Sequence, residues 1–151
     1  MVTLCSDNAE YIFNNYNIGD VFYNIKIDYS RCCTQSYINK VYNGEAKLFD
    51  KYLIVDKGLV MTKNDGNSWE AYTTFLCMND DKKLIRLNYY QLSSKDYIQQ
   101  KLIRYFKNSK AYFERELSLL DKDKDKRKYR NRVKVIQQCS ELIEKLPRLF
   151  V

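Results

Sequence analysis

The chain has 151 residues and a mass of 18.2 kDa, with 45% hydrophobic and 30% charged residues, enough to close one core but hardly two. It contains no histidine, which excludes Ser-His-Asp and Cys-His catalysis, imidazole acid/base chemistry and any zinc site that needs an imidazole. With four glycines and one proline, neither G-x-x-x-x-G-K-[ST] nor G-x-G-x-x-G can be written, so nucleotide-binding α/β folds lose most of their support.

The predicted elements fall into two unlike parts. Residues 7–16 can form a short helix capped by Ser6 or Asp7, and Asn17-Ile18-Gly19-Asp20 is a turn feeding the β-branched and aromatic run Val21 to Ile27, the first strand. Further strand-like runs are Ser36 to Tyr42, closed by Asn43-Gly44; Lys47 to Val55, closed by Asp56-Lys57-Gly58; Leu59 to Thr62, closed by Asn64-Asp65-Gly66; Glu70 to Met78; and Lys83 to Asn88. Consecutive strands without intervening helices predict an antiparallel meander that closes into a small barrel or a curled sheet.

From Ser93 the period changes. Ser93-Ser94-Lys95-Asp96 has the form of a capping box, and Ile98, Leu102, Tyr105, Phe106, Ser109, Phe113, Leu117 and Leu120 step by three and four. After a wholly charged stretch at 121–128 the pattern resumes with Tyr129, Val133, Ile136, Cys139 or Ser140, Ile143 and Leu146, and Pro147 is expected to end it. The expected class is therefore α+β: a small antiparallel β-barrel or curled sheet over 1–92, then a basic helical hairpin over 93–151. Residues 1–92 carry 10 Lys/Arg against 11 Asp/Glu, and residues 93–151 carry 16 against 8, so the basicity lies in the tail.

The order of I-G-D-V-F-Y at Ile18 to Tyr23, then turn-linked strands, then Tyr89-Tyr90-Gln91-Leu92-Ser93-Ser94 opening a Lys/Glu-rich helix resembles a loose class of small proteins of AT-rich Gram-positive bacteria and their phages. In that class a Src-homology-3-like barrel precedes a helical tail. The resemblance implies a binding module with no catalytic residues to carry over; the wealth of Asn, Lys, Tyr and Ile is what an AT-rich genome supplies, and a phage or mobile-element origin is expected from that bias.

No basic-then-apolar leader and no long apolar run is present, so the expected compartment is the cytoplasm, with no membrane contact. Cys5, Cys32, Cys33, Cys77 and Cys139 form an odd set without C-x-x-C, which fits reduced and mostly buried thiols. Neighbours such as Cys32 and Cys33 would point to opposite sides of a strand and cannot easily converge on one ion.

Lys122, Lys124, Lys126, Arg127, Lys128, Arg130, Arg132 and Lys134 place eight cations in 13 residues, enough to attract a polyanion. Asp121, Asp123 and Asp125 interleave with the first of them, a pattern also common on solvated helix faces. Arg127, Arg130 and Lys134 would share one helix face and position a phosphate backbone without reading bases. The candidate binding residues are thus Lys126, Arg127, Arg130, Arg132 and Lys134, joined by Trp69, expected partly exposed beside a turn. Other aromatics of the strands (Phe22, Tyr23, Tyr37, Tyr42, Tyr52, Tyr72, Phe75, Tyr89, Tyr90) divide between core and a surface for stacking or peptide contact.

Two metal patterns are weak. Asp121-Lys122-Asp123-Lys124-Asp125 imitates a calcium loop, but Lys126 stands where glycine is needed and Arg132 where a bidentate glutamate is needed. Asp28 with Glu45-Ala46-Lys47 matches the sparse pattern of Mg²⁺ nucleases, yet Glu45 follows Asn43-Gly44 directly and sits at a rim. No cofactor or metal is therefore expected. The leading expectation is a non-enzymatic protein that engages nucleic acid or a nucleic-acid-handling protein complex, a description that includes a phage-borne inhibitor of a host defence system such as CRISPR. A Mg²⁺-dependent nuclease and a self-associating structural protein are the alternatives.

Overall fold

The computed structural model describes residues 6–27, 34–63 and 65–150. Cys5, Asp28, Cys32, Cys33 and Asn64 lie outside them. The elements are α1 (Ser6–Asn15), β1 (Val21–Ile25), α2 (Gln35–Tyr42), β2 (Phe49–Lys63), β3 (Trp69–Met78), β4 (Leu84–Asn88), a 3₁₀ turn (Tyr89–Gln91), α3 (Lys95–Ser118) and α4 (Lys126–Leu149). The four strands form one antiparallel sheet in sequential order, β1-β2-β3-β4. The sheet stays open, so of the two forms expected from the meander the closed barrel is not formed, and the arrangement is consistent with a curled sheet followed by helices.

The chain divides into two compact units: the described residues of 1–24 with 50–94, and those of 25–49 with 95–151. In the first unit α1 covers one face of the sheet. Asn17 to Asp20 makes the expected turn, with Gly19 at φ +95° donating to the Ile54 carbonyl at 2.8 Å, a backbone region open to glycine at little cost. Along β3, Ala71, Thr73, Phe75 and Cys77 alternate inward and are buried. Ile12 of α1, Tyr52 and Ile54 of β2, and Leu87 and Leu92 join Phe75 and Cys77 in one cluster, with Tyr16 stacked on Phe22 at 4.7 Å beside it.

β2 is a single strand of 15 residues, not two strands parted by a turn. Asp56-Lys57-Gly58 marks an irregularity: Ile54 pairs with Cys77 and Asp56 with Leu76, so Val55 is an extra, bulged residue. Lys57 turns its ammonium to the Phe13 carbonyl and ring, which anchors the end of α1 to the strand.

This core has a pH signature. Burial pushes the Cys77 thiol up to about 11, and burial also raises the Tyr52 phenol, helped by Asp50, and the Tyr16 phenol. Each raised group favours the folded state while it is protonated, so its stabilisation is complete below its unfolded value and disappears as pH climbs through its folded value. Urea midpoints should hold steady up to the ordinary thiol value of 9.0 and decline towards about 11. A midpoint that rises over this interval would contradict the assignment.

In the second unit the largest departure from expectation is α2, a helix where Ser36 to Tyr42 looked like a strand. Thr34 caps it, its hydroxyl accepting from the Tyr37 amide at 3.3 Å. Asn43-Gly44, the supposed hairpin turn, is its C-terminal cap. Glu45 N donates to Lys40 O at 2.8 Å and Gly44 N to Val41 O at 3.1 Å, with Gly44 at φ +77°; this is the Schellman arrangement. Ile38 and Val41 turn inward at a helical spacing.

α3 buries Ile98, Leu102, Tyr105, Phe106, Ser109 and Phe113, as its periodicity predicts. It packs along α4. Of the stripe expected on α4, Cys139 and Leu146 are buried, but Val135, Gln138 and Leu142 join them in place of the rest: Val133 is exposed and Tyr129, Ile136 and Ile143 are half-buried. Pro147 does not end the helix but lies in its last turn, where the missing amide costs a single bond. Phe49 stacks on Phe150 at 4.4 Å and closes this core.

Candidate nucleic-acid interface

The candidate site lies at the turn between α3 and α4, where aspartates and lysines alternate. The aspartates serve the backbone. Asp121 Oδ1 accepts from the amides of Asp123 at 2.8 Å and Lys124 at 3.2 Å, while Asp125 Oδ2 accepts from the Asp121 amide at 3.1 Å. Asp125 N donates to Asp121 O, and Tyr129 N to Asp125 O, both at 2.8 Å. The segment that imitated a calcium loop is thus a turn in which the Asp121 and Asp125 carboxylates stabilise amides.

The cations that follow are left to solvent. Lys126, Arg127, Lys128, Arg130 and Lys134 are all exposed, and none has an ion pair among the described residues. Arg127, Arg130 and Lys134, spaced by three and four, share one side of α4. The first turn of α4 holds no acidic residue, although a helix macrodipole favours anions there and disfavours cations by roughly 0.3–1 kcal/mol each. The neighbouring aspartates offset part of this cost without closing onto the lysines. By charge, the unit that contains α4 carries 20 Lys/Arg against 10 Asp/Glu, and the other carries 6 against 9.

Arg132 does not belong to this exposed set. Its Nε stands 2.5 Å from Glu116 Oε2, an ion pair out of line for a hydrogen bond. Nη1 donates to Gln35 Oε1 at 2.7 Å, and the guanidinium lies 5.7 Å from the Phe113 ring centre. Gln35 in turn donates to the Asn131 carbonyl at 3.2 Å. One arginine therefore ties α2, α3 and α4 together, and a periodicity that counted charges alone could not separate it from its neighbours. Farther along α4, the Tyr42 hydroxyl donates to Glu141, which raises the phenol above its ordinary value, and Lys145 lies over the same ring.

Trp69 opens β3 in the first unit and is 39% exposed, and the exposed cations lie on α4 in the second. Tyr37 and Tyr42 sit on α2, Tyr23, Tyr52 and Phe75 are buried and Phe22 is half-buried, which leaves Tyr72, Tyr89 and Tyr90 exposed, as Trp69 is. Glu45 is exposed just past the α2 cap, not at a hairpin rim. Among the described residues no group of three or more His, Cys, Asp or Glu is placed to hold a metal ion, and no helix is long and apolar enough to cross a membrane.

No family model, curated protein or solved structure matches the chain.

Proposed function

We propose that the protein acts by binding, holding the phosphate backbone of a nucleic acid against the opening turns of α4, and that it performs no reaction of its own. One observation carries this reading: five cations stand exposed, with no ion pair among the described residues, over the first nine residues of α4, three of them in the first turn where stability alone favours anions, while two of the three preceding aspartates are engaged by backbone amides. Charges held at a cost to the helix are explained by a ligand that needs them. Flexible lysines and spaced arginines suit phosphates and have no fixed geometry for base edges, so binding should tolerate changes of sequence.

The test is a salt titration of a labelled DNA duplex by fluorescence anisotropy. Five phosphate contacts give a slope of log K on log salt of about −4.5, which is on the order of a 500-fold loss of affinity between about 50 and 200 mM. No binding at the lower salt, or a slope near zero, would overturn the proposal.

A further inference from the structure

The second unit buries a polar layer that its apolar stripes do not explain. Asn39 Oδ1 of α2, Ser109 Oγ of α3 and Gln138 Oε1 of α4 are each closed to solvent and meet no hydrogen-bond partner among the described residues. Ser109 is 1% and Gln138 6% exposed, so both side chains belong to the core. Native cores hold few such atoms, and each calls for a physical cause.

Side-chain contacts bracket the three at one level. Gln35 donates to the Asn131 carbonyl and accepts from Arg132, and Tyr42 donates to Glu141, so α2 runs parallel to α4 at an offset of 96 to 99 positions. Asn39 lies four residues after Gln35 and three before Tyr42, on the face these two share, which sets it beside positions 135–138 of α4. α3 runs the other way. Glu116 pairs with Arg132, and the Phe113 ring lies against the same guanidinium. Ser109, one turn before Phe113, is thereby set beside positions 136–139. Gln138 falls within both intervals.

We propose that this layer encloses one ordered water molecule that bridges α2, α3 and α4. Donors and acceptors match. Two amide oxygens can only accept, so they cannot satisfy each other, and Ser109 supplies a hydroxyl. A water gives one hydrogen to each amide oxygen and accepts from that hydroxyl, the set of about three bonds common for buried water. Serine within a helix can instead turn its hydroxyl to the carbonyl four residues earlier. Ser140 does so with Ile136 at 3.2 Å, whereas Ser109 does not, which keeps its hydrogen for the layer. A hard cation fits poorly, since it takes about six oxygens or more with carboxylates among them, and these three are neutral. The proposal is independent of nucleic-acid binding.

Magnetic relaxation dispersion of the solvent oxygen-17 signal counts waters held for longer than the protein takes to tumble. Its amplitude should fall by the equivalent of one water in the double variant Ser109→Ala, Gln138→Leu. Thermal melting gives a second reading. Gln138→Leu takes one partner from the water and should lower the melting temperature by about 2–4 °C; were the Gln138 oxygen unserved, leucine would raise it by removing an unsatisfied acceptor. In the unsubstituted protein, a nuclear Overhauser effect should connect water with the Gln138 methylene protons, which decides the matter if the variants do not fold. An unchanged dispersion amplitude, a raised melting temperature or the absence of that effect would overturn the proposal.

Discussion

Replacing Arg127, Arg130 and Lys134 together by glutamine should lower the affinity for duplex DNA by roughly 10²–10³ at about 0.1 M salt, with little change in stability. Each lost phosphate contact flattens the salt slope by about 0.9, so the triple variant should lose about 2.7 from it. The three side chains are exposed and make no ion pair among the described residues, and such surface changes usually move stability by no more than about 0.5 kcal/mol each. Arg132→Gln is the matched control. It removes one positive charge from the same helix, but that charge is held by Glu116 and Gln35, so its effect should fall on the melting curve and leave the salt slope nearly unchanged. If Arg132→Gln flattened the slope as much as Arg130→Gln does, the division between structural and ligand-facing arginines would be wrong.

Phe113→Ala should cost about 3–5 kcal/mol, read as a shift of the urea midpoint at constant slope. The ring is 1% exposed, meets Tyr112 edge-on at 5.4 Å and lies under the Arg132 guanidinium. Its removal leaves a cavity and withdraws the platform that orients Arg132 between α2 and α3, so the ion pair with Glu116 should weaken as well. Domains of this size are stable by only about 5–15 kcal/mol, so the variant stands near the unfolding threshold at physiological temperature. A loss below about 1 kcal/mol would mean that the helices hold together without this contact.

Periodicity made most of α3 legible, because Ile98 to Phe113 repeat at three and four with mostly polar residues between them, whereas Leu117 is half-buried and Leu120 lies beyond the helix. It misplaced α4 because three β-branched residues, Val133, Val135 and Ile136, offer two stripes of similar hydrophobicity. Only packing shows that Val135 is the buried one, with Val133 44% exposed. Asn43-Gly44 illustrates a different ambiguity. A tight hairpin turn and a Schellman cap both need positive φ, and the sequence pair serves either; the deciding signals lay outside it, in the Thr34 cap and the Ile38–Val41 spacing. Asp56-Lys57-Gly58 likewise announced a break in the strand, and the break is a bulge. Reading it as a turn concealed that the run from Gly58 to Thr62 continues the same strand.

The charge cluster was visible as a composition, but the partners that divide it were not. Gln35 meets Arg132 across 97 positions of sequence and Glu116 across 16, distances at which no local pattern operates. The role of Asp121 and Asp125 was hidden for the opposite reason: alternating charges look like paired side chains until backbone amides are seen to take the carboxylates.

Neither compact unit is a continuous stretch of chain, and this bears on how the protein is made. A ribosome releases 25–49 long before 95–150, so α2 emerges with Ile38 and Val41 bare and must await the last third of the polypeptide before it can dock on α4. Nascent chains of this protein therefore carry a sticky amphipathic segment for much of their synthesis. Fragments ending near Ser94 should depend on chaperones to stay soluble, even with every strand of the sheet already translated.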